Sequence, residues 1–165
     1  MNAKGRRRVR MVAEGANALS SLRLGMAGSL EAKTEHVSRR FEQFGLVFVE
    51  RGGGWLRIGG EEAFEVLAPA VFYIRPGPVY VYGPDKGGWD ERFLTFRGAR
   101  TSEWASAGWL PEAPGPYSVP QPVNTARAHA RIMDWAEGRD TGDADRAALE
   151  LEALIFQLHS VRLPR

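Results

Sequence analysis

Between Phe41 and Gly98 the chain is broken at short intervals by glycine and proline, and the runs between the breaks are rich in β-branched and aromatic residues. The first is Phe44-Gly-Leu-Val-Phe-Val-Glu50, followed by Arg51-Gly52-Gly53-Gly54, which is expected to be a turn. Trp55 to Ile58 and Ala63 to Leu67 flank Gly59-Gly60, a hairpin signal because both central residues of a tight hairpin turn need positive φ. Val71 to Arg75 is stopped by Pro76-Gly77-Pro78, and Val79 to Tyr82 by Gly83-Pro84-Asp85 and Gly87-Gly88. Glu91 to Phe96 alternates with period two and ends at Gly98. Short strands with turn signals at intervals of roughly 8–12 residues predict an antiparallel sandwich or barrel. Nothing between them is long enough for a crossover helix, which excludes a parallel α/β sheet.

The last forty residues or so follow a different pattern. After a proline-rich stretch, with a short helix expected near 102–107 and a strand near 117–119, Asn124 or Thr125 is expected to cap a helix ending at Glu137-Gly138. A second helix, capped by Thr141 or Asp143, is predicted to reach about Val161. In it Ala147, Leu151, Leu154, Ile155 and Leu158 recur at helical spacing, with Glu150, Glu152 and Gln157 facing away.

Composition excludes several functional classes. The chain has 165 residues, 44% of them hydrophobic and 25% charged, which fits one globular domain with a real core. A net charge of +2 does not argue for nucleic-acid binding through bulk field. Lys4, Arg6, Arg7, Arg8 and Arg10 make the N-terminus basic, which reads as a solvated arm or a contact for an acidic partner. No apolar run long enough for an export signal or a membrane span is present, so a cytoplasmic protein is expected. The absence of cysteine removes disulfides, thiolate metal sites and a cysteine nucleophile. His36, His129 and His159 are far apart, and none lies between Arg39 and Ala113. The barrel therefore has no imidazole cluster for a metal, and neither metal nor cofactor is expected. No P-loop, nucleophile elbow or dinucleotide fingerprint occurs. Gly52-Gly53-Gly54 resembles a phosphate cradle only superficially, since no helix follows it.

Taken in order, several features resemble the N-terminal regulatory domain of AraC/XylS-type transcriptional regulators. They are Arg39/Arg40, the run from Leu46 to Glu50 with its glycines, the Gly59-Gly60 hairpin and Leu67 to Pro76-Gly77. Tyr80-Val81-Tyr82, Trp89, Phe93 to Gly98 and the two final helices complete the pattern, which covers roughly residues 20–162. Two positions depart from it: Pro69-Ala70 stand where the family usually has Gly-Asp, and Tyr80 where it often has His.

The resemblance implies a mainly β fold, a cupin-like antiparallel barrel (double-stranded β-helix or jelly roll) followed by two α-helices. The expected divisions are a partly flexible arm over 1–35, a barrel sensor over 36–123 and a helical pair over 124–165. It further implies a small-molecule effector, with a sugar suggested by the sugar-responsive members. Carried over by position, the ligand-binding set is Arg40 (or Arg39), Tyr80, Tyr82, Trp89, Glu91 and Phe93. Tyr82 and Phe93 offer flat faces, and Arg40 and Glu91 offer charge. The plainer alternative makes Phe93 core, Glu91 a solvated rim residue and Arg40 a surface partner of Glu42 or Glu50. Trp55, Trp104, Trp109 and Trp135 are read as packing residues.

Leu151, Leu154, Leu158 and Val161 have the spacing of a coiled-coil seam, and the family's helical pair mediates dimerisation, so a homodimer through them is expected. The same stripe could instead seal the barrel. Family members carry a further segment with two helix-turn-helix motifs, so DNA binding is expected only through a part absent from this chain. The chain is then either an excised sensor domain or a stand-alone one. The alternative function is a metal-free cupin-like enzyme or binding protein for a sugar or small acid, with Glu91 and Tyr82 as acid and base. A filled structural barrel without ligand is a third possibility.

Overall fold

A computed structural model describes residues 5–162; Lys4 of the basic terminus lies outside them. The elements run β1 (Arg7–Met11), β2 (Arg23–Lys33), β3 (Val37–Arg40), β4 (Phe44–Ile58), β5 (Phe64–Leu67), β6 (Ala70–Ile74), β7 (Val79–Arg97), α1 (Arg100–Ser106), β8 (Tyr117–Ser118), α2 (Pro122–Glu137) and α3 (Asp143–Arg162). The sheet path is β1-β2-β7-β4-β6-β8, with β3 added to β7 and β5 to β4. Every pairing is antiparallel, giving the mainly β architecture with a C-terminal helical pair that the strand pattern predicts.

Two strands are much longer than expected. β4 continues through Gly52-Gly53-Gly54, and β7 through Gly83 to Gly88, where turns were predicted. The two strands pair from Phe44↔Phe96 to Ile58↔Tyr80, with register shifts at Val49/Arg51 and Gly52/Gly54. At these shifts the backbones nearly touch. A Cβ on Gly54 would lie 2.1 Å from the carbonyl oxygen of Gly83, and one on Gly52 2.3 Å from that of Gly88. These glycines make bulges that bend two paired strands from one half of the barrel into the other.

Alternation along the strands divides the core in two. Leu46, Phe48, Val71, Tyr73, Leu94 and Phe96 face outward and are covered by α2 and α3 through Ile132, Met133, Leu151, Leu154, Ile155 and Leu158. Val47, Val49, Phe72, Ile74, Tyr80, Tyr82 and Trp89 face the barrel interior. Burial on both faces explains why all of β6 is apolar.

β2 falls within the stretch expected as an arm, yet it pairs with β7 along its length and buries Leu24 and Ala27. β1 adds to its outer edge. Three basic residues of β1 are matched by acids. Arg7 pairs with Glu35, and Arg8 and Arg10 with Glu137 at the end of α2. α2 begins two residues before the predicted caps, with Pro122 in its first turn, where the missing N–H costs nothing. Thr125 is buried in the helix instead of capping it. Glu152, expected to face away, holds α1 to α3 by accepting from Arg100 and from Trp104 Nε1.

Candidate functional site

A cavity of about 840 Å³ opens between the barrel wall and the segment Met11 to Asn17. Its floor and sides come from one face of three neighbouring strands: Gly25, Met26 and Leu30 on β2, Glu91, Phe93 and Thr95 on β7, and Gly45 and Val47 on β4. Gly25 lies under the side chains of Gln43 and Thr95, a Cβ there standing 2.2 Å from Gln43 Oε1, and the rest of the barrel interior is filled with side chains.

Four members of the expected ligand set meet at this cavity: Arg40, Tyr82, Glu91 and Phe93. Arg39, the stated alternative to Arg40, joins them and lies over the ring of Phe41. Arg40 is at the mouth, with Nη1 donating to the Gly77 carbonyl at 2.5 Å rather than to Glu42 or Glu50. Glu91 is buried, not a rim residue; its Oε1 accepts from Lys33 Nζ at 2.9 Å and from Trp89 Nε1 at 3.2 Å. Lys33 Nζ also lies 5.3 Å from the centre of the Tyr82 ring. Burial, reinforced by the nearby Glu91 charge, raises the Tyr82 phenol far above the ordinary tyrosine range.

Tyr80 and Trp89 are placed elsewhere. Tyr80 belongs to the filled half of the barrel, where its hydroxyl accepts the Arg75 backbone N–H at 2.9 Å and its ring meets Phe41 edge-on. Trp89 is fully buried and reaches the site only through its bond to Glu91. Neither lines the cavity.

Phe93 is held on both sides. Its ring lies over Gly28, where a Cβ would stand 2.2 Å from Cε1. Its carbonyl oxygen is 3.0 Å from Nε2 of His129, on α2. Burial lowers the His129 pKa to about 4, and the neighbouring Arg92 charge acts in the same direction. The ring is therefore neutral, with Nε2–H donating to Phe93 and Nδ1 accepting from Arg92 Nη1 at 3.3 Å. Arg92 in turn pairs with Glu50. This chain of bonds joins a cavity wall to the helical pair.

Sequence reasoning missed Lys33, Arg23, Gln43 and Arg97, all of which line the cavity. Arg23 and Lys33 lie in β2, whose alternation is broken by two bulges, and Arg97 and Gln43 stand at strand ends next to loop-like sequence.

The expected dimer seam needs correction. Leu151, Leu154 and Leu158 are buried against the sheet and α2, so they are unavailable to a partner. One helical stripe cannot serve both surfaces, and here it seals the barrel. Val161 is exposed, and Leu149 and Phe156 are the other large apolar side chains of α3 that face outward. Among the described residues no three His, Cys, Asp or Glu side chains converge as metal ligands, and no helix is long and apolar enough to cross a membrane.

The chain is similar to several solved structures. A cupin superfamily protein from Desulfitobacterium hafniense DCB-2 is 11% identical, with a TM-score of 0.39 over 55% of this chain and 76% of that one. An RmlC-like cupin family protein with a double-stranded β-helix fold, from Methanocaldococcus jannaschii, is 9% identical, with a TM-score of 0.43 over 62% and 90%. The Cnp3 cupin domain of Schizosaccharomyces pombe is 14% identical, with a TM-score of 0.42 over 62% and 69%. No curated protein matches the chain significantly in sequence. The family model described as the AraC-like ligand binding domain matches residues 29–159, which takes in β3 to β8, α1, α2 and most of α3 but only the end of β2, and the chain therefore belongs to the AraC-like ligand binding domain family.

Proposed function

We propose that the chain is the effector-sensing and dimerisation domain of an AraC-type transcriptional regulator, with DNA read by a part outside this chain. The observation that carries this reading is the cavity itself. It is large enough for a small metabolite, and its wall combines barrel strands with the segment Met11 to Asn17. A ligand that favours one arrangement of that segment shifts the arm's equilibrium by its differential affinity, which is all that a switch requires. Two further contacts fit the reading. Asp145, at the start of α3, accepts the backbone N–H groups of Ala18 and Leu19, so the arm touches the helical pair as well as the cavity. His129 connects the Phe93 wall to α2.

The enzymatic alternative gains no support from the site. Glu91 is tied to Lys33 and Trp89, and Tyr82 holds its proton well above neutral pH. An acid/base pair works best with pKa values near the operating pH. The dimer, in this reading, forms through the outward face of α3.

A thermal-shift screen of metabolites against wild type, Arg40→Ala and Tyr82→Phe tests the site. A compound that stabilises wild type is expected to stabilise the two variants less. Equal stabilisation of all three would place binding outside the cavity.

A further inference from the structure

The upper row of the cavity carries two arginines with no partner among the described residues. Arg23 and Arg97 are directly opposite each other in the β2–β7 register. Like charges in that position repel and destabilise a sheet. Neither side chain makes a hydrogen bond or an ion pair among the described residues, and the Arg23 Nε is buried without an acceptor. Other half-buried arginines of the chain are matched: Arg92 to Glu50, Arg100 to Glu152, Arg75 to the Pro111 carbonyl, and Arg162 to Tyr73 and the Trp109 carbonyl.

A third unsatisfied group belongs to the same row. Gln43 immediately precedes Phe44, which pairs with Phe96, and the Gln43 Oε1 is buried with no donor. Orphaned buried polar atoms are uncommon, and here they occur together at a cavity. Glu14 and Glu42 also reach the cavity but pair with neither arginine. At its other end, the Glu91 charge is already neutralised by Lys33. Four arginines at the cavity, Arg23, Arg39, Arg40 and Arg97, form no ion pair among the described residues, so the uncompensated charge is positive. Arg40 donates to the Gly77 carbonyl and Arg39 lies over the Phe41 ring, which leaves Arg23 and Arg97 as the two without such a contact among the described residues.

We propose that the effector is a carboxylate with an apolar body, its carboxylate bridging Arg23 and Arg97. This rests on the cavity being the effector site and names the ligand class that fits it. Two guanidinium groups facing one anion is the arrangement that charge-assisted bonding favours. A neutral sugar would leave the two arginines opposed and the repulsion unrelieved. Arg97 to Phe93 spans four residues, about 13 Å along the strand, so the body of such a ligand runs along the wall past Thr95 and Val47 and ends at the Phe93 ring.

The test uses 3-phenylpropanoate, octanoate and 4-hydroxyphenylacetate, their primary amides, D-glucose and D-xylose, and sodium phosphate. Thermal shift and titration calorimetry are run on wild type, Arg23→Gln, Arg97→Gln, Arg23→Lys and Tyr82→Phe. At least one carboxylate is expected to raise Tm while its amide does not. Each Gln variant should weaken that carboxylate at least tenfold, with Arg23→Lys falling between. Without ligand, the Gln variants should melt no lower than wild type, because a repulsion has been removed; this separates lost binding from lost folding. Carboxylates that leave Tm unmoved overturn the proposal, as does carboxylate binding indifferent to both Gln variants. A shift by phosphate equal to that of the carboxylates overturns the requirement for an apolar body. A monosaccharide whose binding falls in Tyr82→Phe but not in Arg23→Gln refutes the carboxylate and leaves the cavity reading intact. A carboxylate whose binding depends on Arg23 but whose location, in a crystal structure, is outside the cavity refutes that reading instead.

Discussion

Lys33 Nζ stands 2.9 Å from Glu91 Oε1 in a pair of side chains only 6% and 3% exposed, the most deeply buried ion pair among the described residues. Each charge is tolerated because the other is there. Removing one leaves the other desolvated and unmatched, which costs about 3–5 kcal/mol, whereas replacing both with apolar side chains of similar volume is close to neutral. Lys33→Met and Glu91→Gln are each expected to lower the urea midpoint sharply, and Lys33→Met with Glu91→Leu to recover part of the loss, the remainder being the buried Trp89 Nε1 left without its acceptor. A double variant as unstable as the singles would show that the pair is not a self-contained unit.

That pair also shows where sequence reasoning stops. Glu91 was legible, because it lies in a strand of clean alternation, but its partner was not. Lys33 closes a strand with register shifts at Leu24/Ala27 and Leu30/Lys33, so β2 has no continuous period to read. The glycine runs mislead for a related reason. Freedom from a Cβ serves a turn and a close backbone approach equally well, and Gly52 and Gly54 use it for the second. Leu151, Leu154 and Leu158 have the spacing of a seam, but spacing identifies a buried face without saying what buries it. The opposition of Arg23 and Arg97 is a product of register, and register is invisible until the strands are paired.

Gly28 is predicted to control the shape of the cavity. A methyl group there would fall 2.2 Å from Phe93 Cε1, and only the ring can give way, since the backbone is fixed in the β2–β7 ladder. Gly28→Ala should fold with a modest loss of about 1 kcal/mol and turn the ring into the cavity. A crystal structure of the variant checks the rotamer, and any compound that stabilises the wild type should bind at least tenfold more weakly.

Asp145 is predicted to fasten the arm. Its carboxylate accepts the N–H groups of Ala18 and Leu19 at 3.1 Å and the Asn17 side-chain amide at 3.3 Å. These bonds, led by the one from Leu19, hold the carboxyl below its usual pKa. Asp145→Ala removes all three acceptor contacts and leaves the helix core untouched. Limited proteolysis should then cut within residues 12–20 several times faster than in wild type, with the melting temperature nearly unchanged. Equal cleavage rates would mean that the arm is held by its other contacts, chiefly Arg8 and Arg10 with Glu137.

His129 gives the fold an acid-sensitive element. Its pKa falls from an ordinary 6.5 to about 4 on folding, because burial disfavours the charged ring. The unfolded chain therefore binds a proton that the native state refuses, and stability falls as pH drops from 6.5 towards 4, levelling off below that. The full loss is about 3 kcal/mol. Carboxylates such as Glu152, held low by Arg100, add a loss of the same sign. The His129 share is isolated by comparing wild type with His129→Gln between pH 7 and pH 4 in urea unfolding. The variant should show the shallower decline, and parallel curves would assign the acid sensitivity elsewhere.

The proposed dimer is tested on the face of α3 that the fold leaves open. Leu149 and Phe156 are 56% and 48% exposed and seven residues apart, two turns along one side of the helix, with Ala153 between them. Phe156 is backed by Trp109, whose ring centre is 4.9 Å away, so the patch continues beyond the helix. A second copy pairing through this face needs small and apolar side chains along its length, which the sequence supplies. Leu149→Glu with Phe156→Glu should sediment as a monomer at concentrations where wild type is a dimer, and should unfold within about 1 kcal/mol of it, since neither residue is in the core. Leu151→Glu is the control: it places a charge among Ile132, Leu154 and the sheet, and is expected to unfold the domain rather than to separate intact subunits. A wild-type chain that is monomeric throughout, or a double variant that remains dimeric, would move the interface off α3.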